Sequence, residues 1–179
     1  MALARFFVVL LLVVLATMGA ASALTVKLPN VTVGTGSSVE VAVEVEDARD
    51  LGSMDLVISY DPSVVEVKSV GKGELNKGLL SSNTGNGMLA ISLADSRGIS
   101  GNGAVAIIVF DTLKEGESTL KIQSVKAYDV NTHVDLRVDA QDGRIVVSEL
   151  SEEKKDTPGF EIWLVAAVLA ILASRRRGK

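Results

Sequence analysis

Residues 38–46 read S-V-E-V-A-V-E-V-E, and this period of two constrains the fold more than any other feature of the chain. Val39, Val41, Val43 and Val45 face one way, and Glu40, Glu44 and Glu46 face the other. That is a strand with one face in a core and one in water. The same alternation separates Met54, Leu56, Ile58 and Tyr60 from Asp55, Val57 and Ser59. It also sets Val134, Leu136 and Val138 against Asp135, Arg137 and Asp139. Residues 104–110, A-V-A-I-I-V-F, are apolar on both faces, as in a strand covered on both sides. Turn signals fall between these runs at Gly34-Thr35-Gly36, Asp61-Pro62, Gly71-Lys72-Gly73, Gly101-Asn102-Gly103, Glu115-Gly116 and Asp142-Gly143. The Asp142-Gly143 pair predicts a tight hairpin, and one short helical turn is expected over residues 74–80. Eight or nine short strands so spaced predict an all-β sandwich.

The two ends follow a different pattern. Arg5 precedes an apolar stretch over residues 6–16, and small residues then lead to Ala21-Ser22-Ala23. A cationic start, an apolar segment and an A-x-A site define an export signal over residues 1–23, cut between Ala23 and Leu24; the alternative is an uncleaved N-terminal helix. At the other end, residues 162–173 form an apolar run of 12 residues closed by Arg175, Arg176 and Arg177. As a helix this run is about 18 Å long, against a hydrocarbon core of roughly 30 Å. Arginines on its far side are the flank expected on the cytoplasmic side. Both ends therefore agree on one orientation, with residues 24–149 outside the cell and residues 150–157 as a short charged linker.

The whole chain has 18 basic and 22 acidic residues. Without residues 1–23 and 158–179 the counts become 13 and 21, a net charge of −8. Such a surface repels nucleic acid and anionic headgroups, so nucleic-acid binding is not expected. The chain has no cysteine, so an exported domain of this kind has to be stable through its core alone. Its length suffices to bury roughly two-thirds of the unfolded surface.

Catalytic constellations are sparse. With one histidine, His133, and no cysteine, neither a Cys–His pair nor a His-rich metal site can be built. There is no G-x-S-x-G and no phosphate-binding loop, and His133 reads as a solvated turn residue. Carboxylate pairs are numerous, but most fall on the outward register of strands. Residues 129–133, D-V-N-T-H, echo the start of a calcium loop, yet the sixth position is Val134 rather than glycine. No catalytic residue, metal or cofactor is expected. Asn30-Val31-Thr32 is the N-x-S/T sequon, placed where an exported chain could be glycosylated.

Laid out in this order, the strands resemble a cohesin domain. The resemblance runs through V-T-V-G-T-G-S-S-V-E-V-A-V-E-V, then L-G-S-M-D-L-V-I-S-Y-D-P-S-V-V-E-V, L-A-I-S-L-A-D-S, G-N-G-A-V-A-I-I-V-F and D-G-R-I-V-V. It covers residues 24–148, and its most specific element is Y-D-P-S-V-V at residues 60–65. The family implies a nine-stranded jelly-roll sandwich that is not a catalyst. Its members use one flat sheet face to bind dockerins, helical modules that carry the calcium themselves, and so anchor polysaccharide-degrading enzymes. The resemblance places a partner-contacting aspartate at Asp55 and a second acidic or polar contact at Asp95. Ser53, Val57 and Ser59, outward beside Asp55, are small enough to let a helix lie flat on the sheet. An outward strand aspartate without a partner is the alternative for Asp55.

The tail is similar to a second known pattern. Pro158-Gly159-Phe160, a short apolar span and terminal arginines resemble the PGF-type sorting signal of archaeal surface proteins. That likeness implies removal of the span by an archaeosortase and attachment to lipid; a permanent single-pass anchor is the alternative. The threonine-rich stalk that usually precedes the tripeptide is absent. Together these readings predict a membrane-anchored surface module docking a dockerin-bearing protein. Direct binding of a polysaccharide and a structural surface-layer role are the alternatives.

Overall fold

The computed structural model describes residues 23–149. Residues 1–22 of the expected export signal, Ala21 among them, the charged linker, and the tail with Pro158, Gly159 and Phe160 lie outside the described residues. The same holds for the two terminal helices expected to flank the sandwich. Nine strands follow in order: β1 (Leu24–Lys27), β2 (Asn30–Gly34), β3 (Ser38–Ser59), β4 (Val65–Lys72), β5 (Leu79–Gly85), β6 (Met88–Thr112), β7 (Gly116–Asp129), β8 (Val138–Gln141) and β9 (Gly143–Ser148). The described residues are all-β, the sandwich that the alternation predicts, with the nine strands and jelly-roll form that the resemblance implies.

Two long strands build both layers. The first halves of β3 and β6 lie in different layers, because each strand is bent by irregular pairing between Val45 and Ser53. On β3 the bend contains Asp47 and Asp50 at φ 56° and 52°. Facing it on β6 are Gly98, Gly101 and Gly103 at φ 76°, 110° and 148°, conformations that glycine adopts without steric cost. Side chains fasten the two bends together: Asp47 N–H donates to Asn102 Oδ1 at 2.7 Å, and Asp50 N–H to Ser100 Oγ at 2.9 Å. One layer is then β8-β1-β3-β6-β4, using residues 38–48 of β3 and 101–112 of β6. The other is β5-β6-β3-β7-β9-β2, using residues 88–99 and 51–59.

The inward sides of the two layers meet in one apolar core. Val41, Val43, Val45, Ile108 and Phe110 come from the first layer, and Met54, Leu56, Ile58, Leu89 and Ile91 from the second, all at most 1% exposed. The register read from residues 38–46 and 53–60 is therefore the register of the fold. Two buried hydroxyls tie turns to this core. Thr112 Oγ1 accepts the Ser37 N–H at 2.9 Å and lies 2.9 Å from the Gly34 carbonyl oxygen. Ser118 Oγ accepts the Asp61 N–H at 2.9 Å.

The Y-D-P-S-V-V element is the corner that hands the chain from β3 to β4. Asp61 Oδ1 accepts the N–H and the hydroxyl of Ser63 at 2.8 and 2.7 Å, an Asx-type turn. These bonds hold the Asp61 carboxyl below its ordinary range, the Ser63 hydroxyl being the larger cause.

Several expectations are corrected. Gly101-Asn102-Gly103 does not turn the chain but lies within β6 at the bend. Asp142-Gly143 does not make a hairpin: β8 pairs with β1, whereas β9 pairs with β2 and β7. Gly143 is needed there because an added Cβ would overlap the Pro29 carbonyl as the chain passes between layers. The tight hairpin is instead at Asn86-Gly87, both at positive φ (51° and 73°), joining β5 to β6, as in a type I′ turn. In place of the helical turn expected over residues 74–80, residues 74–78 form a non-helical turn, with Leu75 N–H donating to the Ala104 carbonyl, and β5 begins at Leu79. Residues 134–137 are largely loop, and Val134 is 62% exposed. Residues 104–110 are buried on one face and half-buried on the other, less covered than their composition predicts.

Candidate functional site

The outward side of the second layer is the candidate site, and its composition follows from cross-strand register. Four rows cross β7, β3, β6 and β5. The first contains Tyr128, Ser53, Ala94 and Leu79; the second Lys126, Asp55, Ser92 and Ser81. The third contains Ser124, Val57, Ala90 and Asn83; the fourth Lys121, Ser59, Met88 and Gly85. Serine, alanine and valine fill most of the middle around Asp55, so few side chains stand tall above the sheet. From Ser53 to Ser59 the face is roughly 20 Å long and, over four strands, about 15 Å wide. A helix about 10 Å across and four turns long fits on it.

Asp55 stands near the centre of this face, exposed, and the Ser92 hydroxyl donates to its Oδ1 at 2.6 Å. Alternation on β3 points it outward, with Ser53, Val57 and Ser59 on the same side, so those four residues form the continuous row that the sequence predicts. Gln123, the extra residue at a bulge between Val57 and Ile58, donates from Nε2 to Ser59 Oγ at 2.7 Å. Two shallow depressions flank the row. One, about 240 Å³, lies at Val57, Asn83, Met88 and Ala90; the other, about 260 Å³, lies at Ser53, Ala94, Tyr128 and His133. Leu79 and Met88 are exposed at 75% and 38% at opposite ends of the face.

Asp95 sits differently. It shares the inward register of Leu89, Ile91 and Leu93, and its side chain is 5% exposed. The Arg97 N–H and guanidinium bond to its carboxylate, at 3.0 Å from Oδ1 and 3.5 Å from Oδ2 respectively. These bonds, the backbone one first, hold its carboxyl below the ordinary range. The group that reaches solvent at this corner is Arg97, whose side chain is 69% exposed. Asp95 thus orders the loop instead of presenting a charge.

Elsewhere, His133 is exposed in a turn at φ 57°. Asp129 Oδ1 accepts the N–H groups of Asn131 and Thr132 at 2.8 and 2.7 Å, which lower its carboxyl from the ordinary value, Thr132 being the first cause. Among the described residues no cluster of three or more His, Cys, Asp or Glu side chains has metal-binding geometry. A groove of about 540 Å³ lies along Tyr60, Glu66 and Asn86. The Tyr60 ring there packs edge-on against Phe110, centroids 5.6 Å apart at 70°, so its plane is tied to the core.

The described residues thus form a β-sandwich with one flat, small-residue sheet face. The cohesin-domain family model matches residues 24–147, and the chain belongs to the cohesin family. Its fold is similar to the non-cellulosomal cohesin of the hyperthermophilic archaeon Archaeoglobus fulgidus (26% identity, TM-score 0.68, covering 73% of this chain and 95% of that one). It is also similar to CaCohA2 from Clostridium acetobutylicum in solution (25% identity, TM-score 0.63, covering 71% and 92%). A further match is a chain of the crystalline complex between CaCohA2 and a CaDoc0917 variant (26% identity, TM-score 0.66, covering 70% and 99%). No curated protein sequence matches the chain.

Proposed function

We propose that this protein is a non-catalytic surface receptor that docks a dockerin-bearing protein on the β7-β3-β6-β5 face. The observation that carries the reading is the face itself: small residues over four strands, with a central Asp55 held by Ser92. The Asp55 carboxylate keeps acceptor capacity beyond its bond to Ser92, enough for one or more donors from a helix laid across the row. Lys121 and Lys126 line the β7 side and Arg97 one end, although residues 24–157 are acidic overall. A partner with acidic groups along that side is complementary, and such charge fixes register and on-rate more than affinity. Leu79, Met88 and Tyr128 supply apolar contact at the rim. Asp95 enters as a positioning residue for Arg97.

Export and anchoring complete the proposal. β1 begins at Leu24, the residue after the expected cleavage point, with Leu24 itself buried. A cut there leaves the first strand whole. The PGF-type tail would hold the receptor at the membrane of its cell, and the docked partner, a polysaccharide-degrading enzyme in this reading, would be tethered there. Residues 24–149, immobilised and incubated with secreted proteins of the source organism, test the docking. Retention of a dockerin-bearing protein in calcium, and its loss with Asp55→Ala, is expected; retention unaffected by Asp55→Ala removes the proposed face. The intact mass of the membrane-extracted chain tests the tail, because retention of residues 161–179 removes the sorting reading and leaves a permanent anchor.

A further inference from the structure

The edge strand β2 carries chemistry that docking does not use. Its alternation places Val31 and Val33 against the core and leaves Asn30 and Thr32, the two reactive positions of the sequon, exposed on the outward side. β2 pairs with β9 on one side and ends the sheet on the other. Among the described residues no hydrogen bond engages the Asn30 side-chain amide, so nothing need be broken to reach it. The strand reads N-V-T-V-G, without a charge or a proline. The edge strands of the other layer do carry charges: Glu66, Lys68 and Lys72 on β4, and Asp139 on β8. An uncharged edge with free N–H and C=O groups is a template for pairing with another chain, and proteins block such edges.

We infer that Asn30 is an N-glycosylation site, and that its glycan shields the open edge of β2. The inference rests on the export reading, because the modification needs the chain outside the cell. In the step itself, Asn30 Nδ2 bonds to the anomeric carbon of a lipid-phosphate-linked oligosaccharide as the carbon–oxygen bond to the phosphate breaks. The lipid phosphate leaves, and the amide gives up one proton. Asn30 lies on the same outward side as Asp55 but three strands away in the order β3-β7-β9-β2, about 14 Å across the sheet at ordinary strand spacing. It is also displaced along the strands, being level with Thr119 of β7 where Asp55 is level with Lys126. A glycan there borders the docking face and leaves its rows open.

The test is peptide mass analysis of the full chain from membranes of the source organism, together with Asn30→Gln, Thr32→Ala and Thr32→Ser variants expressed there. A sugar mass on the Asn30 peptide is expected, lost with Asn30→Gln and Thr32→Ala and kept with Thr32→Ser. The Asn30→Gln chain is also expected to self-associate more readily in sedimentation. A chain that starts at Leu24 with Asn30 unmodified overturns the glycosylation and leaves export standing. A chain that starts at Met1 with Asn30 unmodified overturns both. Modification at Asn30 with no change in self-association in Asn30→Gln overturns the shielding role.

Discussion

The two outward faces of the sandwich cover one core and differ in almost every other respect. On the first layer, charges are set in mutual contact. Lys27 Nζ lies 2.6 Å from Glu46 and 3.2 Å from Glu44, and Lys68 bonds to Asp111 at 3.1 Å beside Ser38, whose hydroxyl also donates to Asp111. On the second layer the middle of the face is serine, alanine and valine around one carboxylate. Exposed ion pairs contribute little stability, so the first arrangement chiefly keeps a sheet soluble. A face that gives up such charges for short side chains lowers the desolvation cost of a partner lying flat on it. The difference between the faces therefore separates solubility from recognition on a single scaffold.

The comparison can be broken or sharpened by substitution. The largest effect is expected in the shared core: Phe110→Ala removes a fully buried ring, destabilises by about 3–5 kcal/mol in chemical denaturation, and harms both faces alike. Next comes Ser92→Arg, which sets a long cation beside Asp55. It should abolish docking in a binding titration while leaving the melting temperature nearly unchanged, whereas Ala42→Arg on the other face should leave docking intact. Asp55→Ala is expected to weaken docking by roughly ten- to a hundredfold, the worth of a charged hydrogen bond of about 1.5–3 kcal/mol. Equal loss from Ala42→Arg would contradict the assignment of the face.

Smaller effects concern pH. Asp61, Asp95, Asp111 and Asp129 are all held below the ordinary 3.8. A depressed carboxyl contributes stability that is present above its unfolded value and is lost as pH falls through the folded one. Denaturation midpoints should thus be flat near neutrality and fall below about pH 4. Lys27 is raised above 10.5 chiefly by Glu46, then by Glu44. Its contribution is present below 10.5 and fades only as pH rises through the higher folded value. Because exposed ion pairs contribute little, Lys27→Met should still be almost silent at pH 7. A large drop at neutral pH would show that the first face does more than stay soluble.

Much of this was legible in the sequence, and the failures have physical causes. The valines of β3 and the row Ser53, Asp55, Val57 and Ser59 follow from alternation, because a residue's side of a strand is a local property. The partners of that row were not legible. Ser92 and Lys126 flank Asp55 through pairings tens of residues apart in sequence, fixed by hairpin and bulge geometry. Asp95 could have been read correctly, since in L-A-I-S-L-A-D-S it shares the parity of Leu89, Ile91 and Leu93. The glycines misled in both directions. Gly101 and Gly103 serve a bend, Gly143 a close backbone approach, and Asn86-Gly87 made the hairpin that Asp142-Gly143 was expected to make.

The most direct test of the central claim is parallel affinity capture by residues 24–149 as wild type, Ser92→Arg and Ala42→Arg, with calcium and with chelator, the retained proteins being identified by mass. A dockerin-bearing protein should be retained in calcium by the wild type and Ala42→Arg, and lost with Ser92→Arg or with chelator. Retention by all three variants, or loss with Ala42→Arg alone, would contradict recognition on the β7-β3-β6-β5 face.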